Sequence, residues 1–183
     1  MARSREKQVG YCLVYTGNGK GKTTSAIGLT VRAVGRGMKV AFLQFIKSSE
    51  RTYGEQLALK KLGVEMVQLG EGFTWTKTPE VHREALKQAW EHAKGVVQSG
   101  EYDVVVLDEL NNALAIERFP IDDCLPLVDV VSTIKQRPPH THVVITGRDA
   151  KTELTEIADL VSTVDATKHY YDQNVPAVYG IEF

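Results

Sequence analysis

Cysteine is scarce in this chain of 183 residues: Cys12 and Cys124 are its only two. Two thiols build neither a disulfide framework nor a four-thiolate zinc site. Five histidines do not make up the shortfall. His82 and His92 fall on different faces of one predicted helix, His140 and His142 flank a strand start beside Pro138-Pro139, and His169 stands alone. No apolar run approaches the roughly 20 residues that a membrane-spanning helix requires. The opening MARSREKQVG lacks the apolar stretch of a secretory signal, so a cytoplasmic protein without a membrane partner is expected. An excess of either charge is missing too, with 22 Lys and Arg against 23 Asp and Glu. A net charge of −1 provides no overall positive field for nucleic acid, and no such partner is expected. Internal repeats, low-complexity tracts and linkers are also absent.

What remains is ordinary globular material, 43% hydrophobic and 25% charged. The length suits one domain with a real core. We expect a short arm over residues 1–10 and a single domain over 11–183. Apolar runs at Tyr11–Tyr15, Val40–Phe45, Val64–Leu69, Val104–Leu107, Val143–Thr146 and Leu160–Val164 read as buried strands, with Val178–Glu182 as a candidate seventh. Cys12 lies in the first of them and is expected in the core. Helical patterns fill the gaps at Thr23–Val34, Gly54–Leu62, Leu110–Glu117, Asp122–Gln136 and Thr152–Ala158. Between the third and fourth strands, Thr78, Pro79 and Glu80 supply helix-start chemistry. Val81, Ala85, Leu86, Ala89, Trp90, Ala93, Val96 and Val97 then mark one apolar face. Strands alternating with helices predict an α/β fold, a mostly parallel central sheet covered on both faces. Ligands of such sheets bind beyond the carboxyl ends of the strands. Thr16–Lys22, Lys47, Phe73, Trp75, Asp108, Glu109, Gly147 and Arg148 all fall there.

The stretch Thr16-Gly17-Asn18-Gly19-Lys20-Gly21-Lys22-Thr23-Thr24 joins the first strand to the first helix. Its glycines let backbone N–H groups turn around phosphate oxygens, and the helix N-terminus adds its positive dipole end. Lys22 reaches the phosphates and the Thr23 hydroxyl suits Mg²⁺. Thr16 replaces the first glycine of the strict G-x-x-x-x-G-K-[ST] pattern, yet the glycine spacing and strand-to-helix setting still point to a nucleotide phosphate site. Asp108, at the end of VVVL, reads as a helix cap on its own; beside a phosphate loop it reads as a carboxylate for Mg²⁺, held directly or through water. Arg148 is either a solvated arginine or a planar fork for phosphate.

Several motifs occur in order: TGNGKGKTT, Gln44-Phe45-Ile46-Lys47, GFTW at residues 72–75, VVLDEL at 105–110, ITGR at 145–148, Lys168-His169 and a closing GIEF. In this combination the chain resembles the P-loop type of ATP:corrinoid adenosyltransferase, from Tyr11 to Phe183. The resemblance implies a RecA-like P-loop fold, usually in a homodimer. It implies transfer of the 5′-deoxyadenosyl group of ATP to the cobalt of a reduced, cob(I)alamin-type corrinoid with release of triphosphate, in adenosylcobalamin biosynthesis or salvage. Gly17, Asn18, Gly19, Lys20, Gly21, Lys22, Thr23 and Thr24 would hold the triphosphate, and Thr23 and Asp108 would serve Mg²⁺. Arg32, Glu109 and Arg148 would belong to the nucleotide site. Phe73 and Trp75 would lie against the corrinoid, excluding a lower axial ligand and easing reduction of the cobalt. A flavoprotein reductant is the partner such a reaction implies.

The chemistry agrees with what the sequence lacks. Cob(I)alamin is itself the nucleophile and has no proton to lose, so no general base is needed. The protein must instead position the substrates and stabilise charge gathering on the departing triphosphate. The phosphate loop alone would also fit a P-loop nucleoside or nucleotide kinase, which gives GFTW no role, or a RecA-like ATPase acting as a regulatory or nucleic-acid-binding module, against which the near-neutral charge argues.

Overall fold

The computed structural model describes residues 9–48, 50, 52–72 and 78–182. Phe73 and Trp75 lie outside the described residues. Six strands form one sheet in the order β3-β2-β4-β5-β1-β6: β1 (Cys12–Thr16), β2 (Val40–Ser48), β3 (Met66–Gly70), β4 (Val104–Asp108), β5 (His142–Thr146) and β6 (Leu160–Thr163). Every neighbouring pair is parallel, so all six carboxyl ends share one edge.

Strand alternation divides the apolar side chains between two layers. Cys12, Val14, Leu43, Phe45, Val105, Leu107, Val143 and Ile145 face one core with α3 (Pro79–Gln98), α4 (Leu110–Leu114), α5 (Leu127–Lys135) and α6 (Thr152–Ile157). Phe42, Val104, Val106 and Val144 face the other, with α1 (Lys22–Gly35) and α2 (Gly54–Lys61). The two faces explain why the central strands read as unbroken apolar runs. Cys12 and Cys124 are free and buried, and burial raises the Cys12 thiol to about 11.

In α3, Leu86, Ala89, Trp90, Ala93 and Val97 are buried as their spacing predicts. Val81, expected on that face, is instead 43% exposed, and His82 takes the inward position, stacked on Phe119. Trp90 Nε1 donates to Asp129 at 2.7 Å, which satisfies the indole and ties α3 to α5. Thr78 stands at the N-cap of α3, but its side chain makes no capping bond.

Three expected elements come out differently. The helix predicted over Asp122–Gln136 begins only at Leu127, because Pro126 lacks an N–H and biases its neighbour to extended backbone. The helix predicted over Leu110–Glu117 stops at Leu114, before Phe119 and Ile121 turn inward. Val178–Glu182 is no seventh strand: Ile181 and Glu182 both donate to the Val178 carbonyl around Gly180 at φ +76, a turn.

Candidate functional site

β1 hands the chain to a loop with little room for side chains. Gly17 has φ +97, and a Cβ there would stand 2.5 Å from the Val164 carbonyl oxygen. The Gly19 N–H donates to that same oxygen at 2.7 Å, so the chain after β6 braces the loop. α1 then starts at Lys22 with Gly21 as N-cap, no side-chain cap and no acid in its first turn. The first N–H groups of α1 are thus left for an outside anion, which the helix dipole also favours. Lys22 Nζ donates to the Gly19 carbonyl at 2.7 Å. Burial, and then nearby Arg148, lower the Lys22 pKa against the pull of Glu109 and Asp149.

Residues 18–24 line a cavity of about 540 Å³ with Lys47, Glu55, Glu109, Asn112, Arg148, His169 and Glu182. Its acidic wall is built by β4 and β5. Asp108 is fully buried; its Oδ1 accepts from Thr146 Oγ1 at 2.7 Å and its Oδ2 from Gln44 Nε2 at 2.9 Å. Glu109 takes a left-handed φ of 61°, rare for a side-chain-bearing residue. Its N–H donates to Thr146 Oγ1 at 2.9 Å, and the residue lines the cavity. Glu109 Oε2 is buried without a hydrogen-bond partner among the described residues. Burial, reinforced by Asp108 and opposed by Lys47, raises Glu109 to about 7.

This geometry sets the two neighbouring acids apart. Glu109 lines the cavity, whereas Asp108 does not, and each Asp108 oxygen accepts one hydrogen bond. A carboxylate has about four lone-pair sites, so each Asp108 oxygen still has room for a cation or for a metal-bound water. Thr23 and Glu109 line the cavity, and Asp108 stands next to Glu109 at the end of β4. Among the described residues no cluster of three or more His, Cys, Asp or Glu could hold a metal. Phosphate oxygens would have to complete any Mg²⁺ shell.

The end of β2, the sheet neighbour of β4, adds Lys47 to the lining. Lys47 Nζ lies 2.9 Å from Glu55 Oε1 and 4.2 Å above the Tyr53 ring centre. Burial pulls the Lys47 pKa down, but the hydrogen bond and charge of Glu55, joined by Glu109 and Asp108, leave it raised. At the end of β5, Arg148 N–H donates to Asn112 Oδ1 at 2.7 Å. Gly147 has φ +129, and a Cβ there would collide with Asn112. Helix α4 thereby fixes the turn that presents Arg148.

The profile of the ATP:corrinoid adenosyltransferase BtuR/CobO/CobP family matches residues 8–183. The chain belongs to that family. It is 42% identical over 175 residues to a corrinoid adenosyltransferase of Escherichia coli K12, covering 95% of this chain and 86% of that one. It is 40% identical to the corrinoid adenosyltransferase CobA of Salmonella typhimurium LT2, covering 100% and 90%. The relative from Pseudomonas aeruginosa is 38% identical, covering 100% and 88%. A KaiC-like protein of Pyrococcus horikoshii OT3 shares the fold, with a TM-score of 0.56 at 18% identity over 88% of this chain and 75% of that one. The architecture is an α/β P-loop NTPase fold.

For an adenosyltransferase, the structure brings together Asn18, Gly19, Lys20, Gly21, Lys22, Thr23, Thr24, Glu109 and Arg148, with Gly17 shaping the loop. Arg32 is not among them. It lies ten residues along α1 from Lys22, about 15 Å at 1.5 Å per residue. There it borders a separate apolar cavity beside Leu13, Leu29 and Leu160. Sequence reasoning assigned no role to Glu55, Asn112, Thr146 or Glu182. Thr146 stood within the ITGR motif and Glu182 within the closing GIEF, signals that could have placed them, as its strand end placed Lys47; Glu55 and Asn112 carried none.

Proposed function

We propose that this adenosyltransferase moves the 5′-deoxyadenosyl group of ATP onto the cobalt of a cob(I)alamin-type corrinoid and releases triphosphate, in adenosylcobalamin biosynthesis or salvage. The observation that carries the reading is the cavity itself. It gathers Lys20, Lys22, Lys47 and Arg148 beside an uncapped helix N-terminus, at the strand ends where α/β sheets bind ligands. Charge gathering on a departing triphosphate is stabilised there by cations and N–H groups fixed beforehand.

Lys22 and Arg148 hold phosphate oxygens, and Lys20 takes another. Thr23 and Asp108 would hold Mg²⁺ against the phosphates, Asp108 directly or through water, with Glu109 beside them in the cavity wall. When bound, Mg²⁺ neutralises part of the triphosphate charge. The remaining work of the chain is orientation: it holds the ribose C5′ open to a nucleophile that carries no proton. Phe73 and Trp75 form the apolar surface under the corrinoid.

The enzyme works as a homodimer in the cytoplasm, with electrons from a flavoprotein. Two free, buried thiols suit that reducing setting, and none of the described helices is long and apolar enough to cross a membrane. The test is direct. Protein, ATP, Mg²⁺ and chemically reduced cobalamin should yield the cobalt–carbon bond by its visible spectrum, with one triphosphate per product. Formation of ADP instead would sink the reading in favour of a kinase.

A further inference from the structure

Residues 170–182 do not join the sheet, and their end, Gly180–Glu182, lines one side of the cavity. A single 3-10 turn, Tyr170–Gln173, opens this segment. The turn at Gly180 then reverses the chain, with Ile181 and Glu182 bonded to the Val178 carbonyl at 3.1 and 2.8 Å. The reversal delivers the Glu182 carboxylate to the phosphate loop, where Oε2 lies 2.9 Å from Lys20 Nζ. The other oxygen, Oε1, is buried with no hydrogen-bond partner among the described residues. A carboxylate thus stands on a loop lysine at the edge of an anion-binding cavity.

A phosphate oxygen and a carboxylate compete for the same ammonium. The Lys20 and Glu182 side chains are 35% and 24% exposed, so an incoming ligand can reach and replace the pair. The product sharpens the competition. Transfer breaks the C5′–O bond and leaves its electron pair on the α-phosphate oxygen, so free triphosphate carries one more negative charge than bound ATP. A cationic cavity favours that product over the substrate, and turnover requires it to leave.

We infer that Glu182 is an internal competitor for Lys20 that weakens polyphosphate binding and speeds triphosphate release. This rests on the reading of the cavity as the ATP site. Isothermal titration of inorganic triphosphate and of ATP, each with Mg²⁺, into wild type and Glu182→Gln tests it, with displacement kinetics giving the release rate. Glu182→Gln should bind triphosphate about three- to tenfold more tightly, the scale of one partly exposed ion pair plus relieved repulsion, and release it correspondingly more slowly. Loss of a merely structural contact would loosen binding rather than tighten it. Triphosphate affinity that is unchanged or weaker in Glu182→Gln, with ATP still bound by wild type, overturns this inference alone. Wild type that binds neither ligand overturns the ATP reading as well. Should Glu182→Gln fail to fold, Glu182→Asp, which withdraws the charge by one methylene, decides by the same sign.

Discussion

Thr146→Val removes one oxygen on which both acids of the site depend. Thr146 is fully buried at the end of β5. Its hydroxyl donates to Asp108 Oδ1 at 2.7 Å and accepts from the Glu109 N–H at 2.9 Å. Valine keeps the β-branched shape and the strand, so the change isolates the hydroxyl. Asp108 would keep only the Gln44 amide, at 2.9 Å, and the Glu109 N–H would lose its acceptor. Loss of a hydrogen bond to a carboxylate costs about 1.5–3 kcal/mol, and an orphaned buried donor about 1–3 kcal/mol. Because the two bonds share one atom they do not sum fully, and we expect a loss of about 3–4 kcal/mol.

Urea unfolding measures this as a lower midpoint at unchanged slope, a fall of about 1–2 M for slopes of about 2–3 kcal/mol per M. The left-handed Glu109 turn loses its tether too, so Mg²⁺-dependent ATP binding should weaken in parallel. Thr146→Ser is the control: it keeps the hydroxyl and gives up a methyl, for about 1 kcal/mol. If Thr146→Val is no less stable than Thr146→Ser and binds Mg²⁺ and ATP like wild type, the hydroxyl does not organise the acidic pair.

Lys22→Ala should weaken ATP binding about ten- to a hundredfold, the equivalent of a charge-assisted contact of about 1.5–3 kcal/mol; full transfer at limiting ATP would remove Lys22 from the site. Glu109, raised to about 7 in the folded chain, makes the metal-free protein less stable as pH rises. The unfolded chain releases this proton first, from about pH 4.5. The penalty grows until the folded carboxyl has also ionised above pH 7, reaching at most about 3 kcal/mol. Urea midpoints at pH 5 and pH 8 in the presence of a chelator should therefore differ more in wild type than in Glu109→Gln, and equal differences would refute the assignment. Replacing Phe73 and Trp75 together by Ala should spare ATP binding and transfer from Co(I) but abolish activity from Co(II). Electron paramagnetic resonance should show a four-coordinate Co(II) signal in wild type with ATP and none in the variant, and its persistence with full activity would dismiss the aromatic pair.

The framework was legible because its signals are local. Apolar runs of strand length, glycines at the turns and the loop before α1 each report on their own neighbourhood, and all six strands and the phosphate loop were found this way. Placement was not legible where it depends on the backbone. Asp108 and Glu109 are adjacent, and nothing in their identities says which faces the cavity; the left-handed φ of Glu109 decides it. Val178–Glu182 has strand-like residues, but Gly180 turns the chain before a ladder can form. Arg32 stands about 15 Å along α1 from Lys22, a separation that only the helix rise makes plain.

Composition hid the site for a different reason. A net charge of −1 argues against a positive surface, yet four cations meet around one cavity, in Lys20, Lys22, Lys47 and Arg148. They escape the global count because their partners are drawn to the same place. Lys47 is held by Glu55 and Lys20 by Glu182, while Lys22 bonds to the Gly19 carbonyl. Such pairing has a physical use. An uncompensated cluster of buried ammonium groups would lower its own pKa values and destabilise the fold. Internal acceptors aim the lysines, and a polyphosphate enters by exchanging one set of oxygens for another. Affinity is then the difference between two similar sets of contacts, so altering an acceptor should change nucleotide binding as surely as altering a lysine, and in the opposite direction.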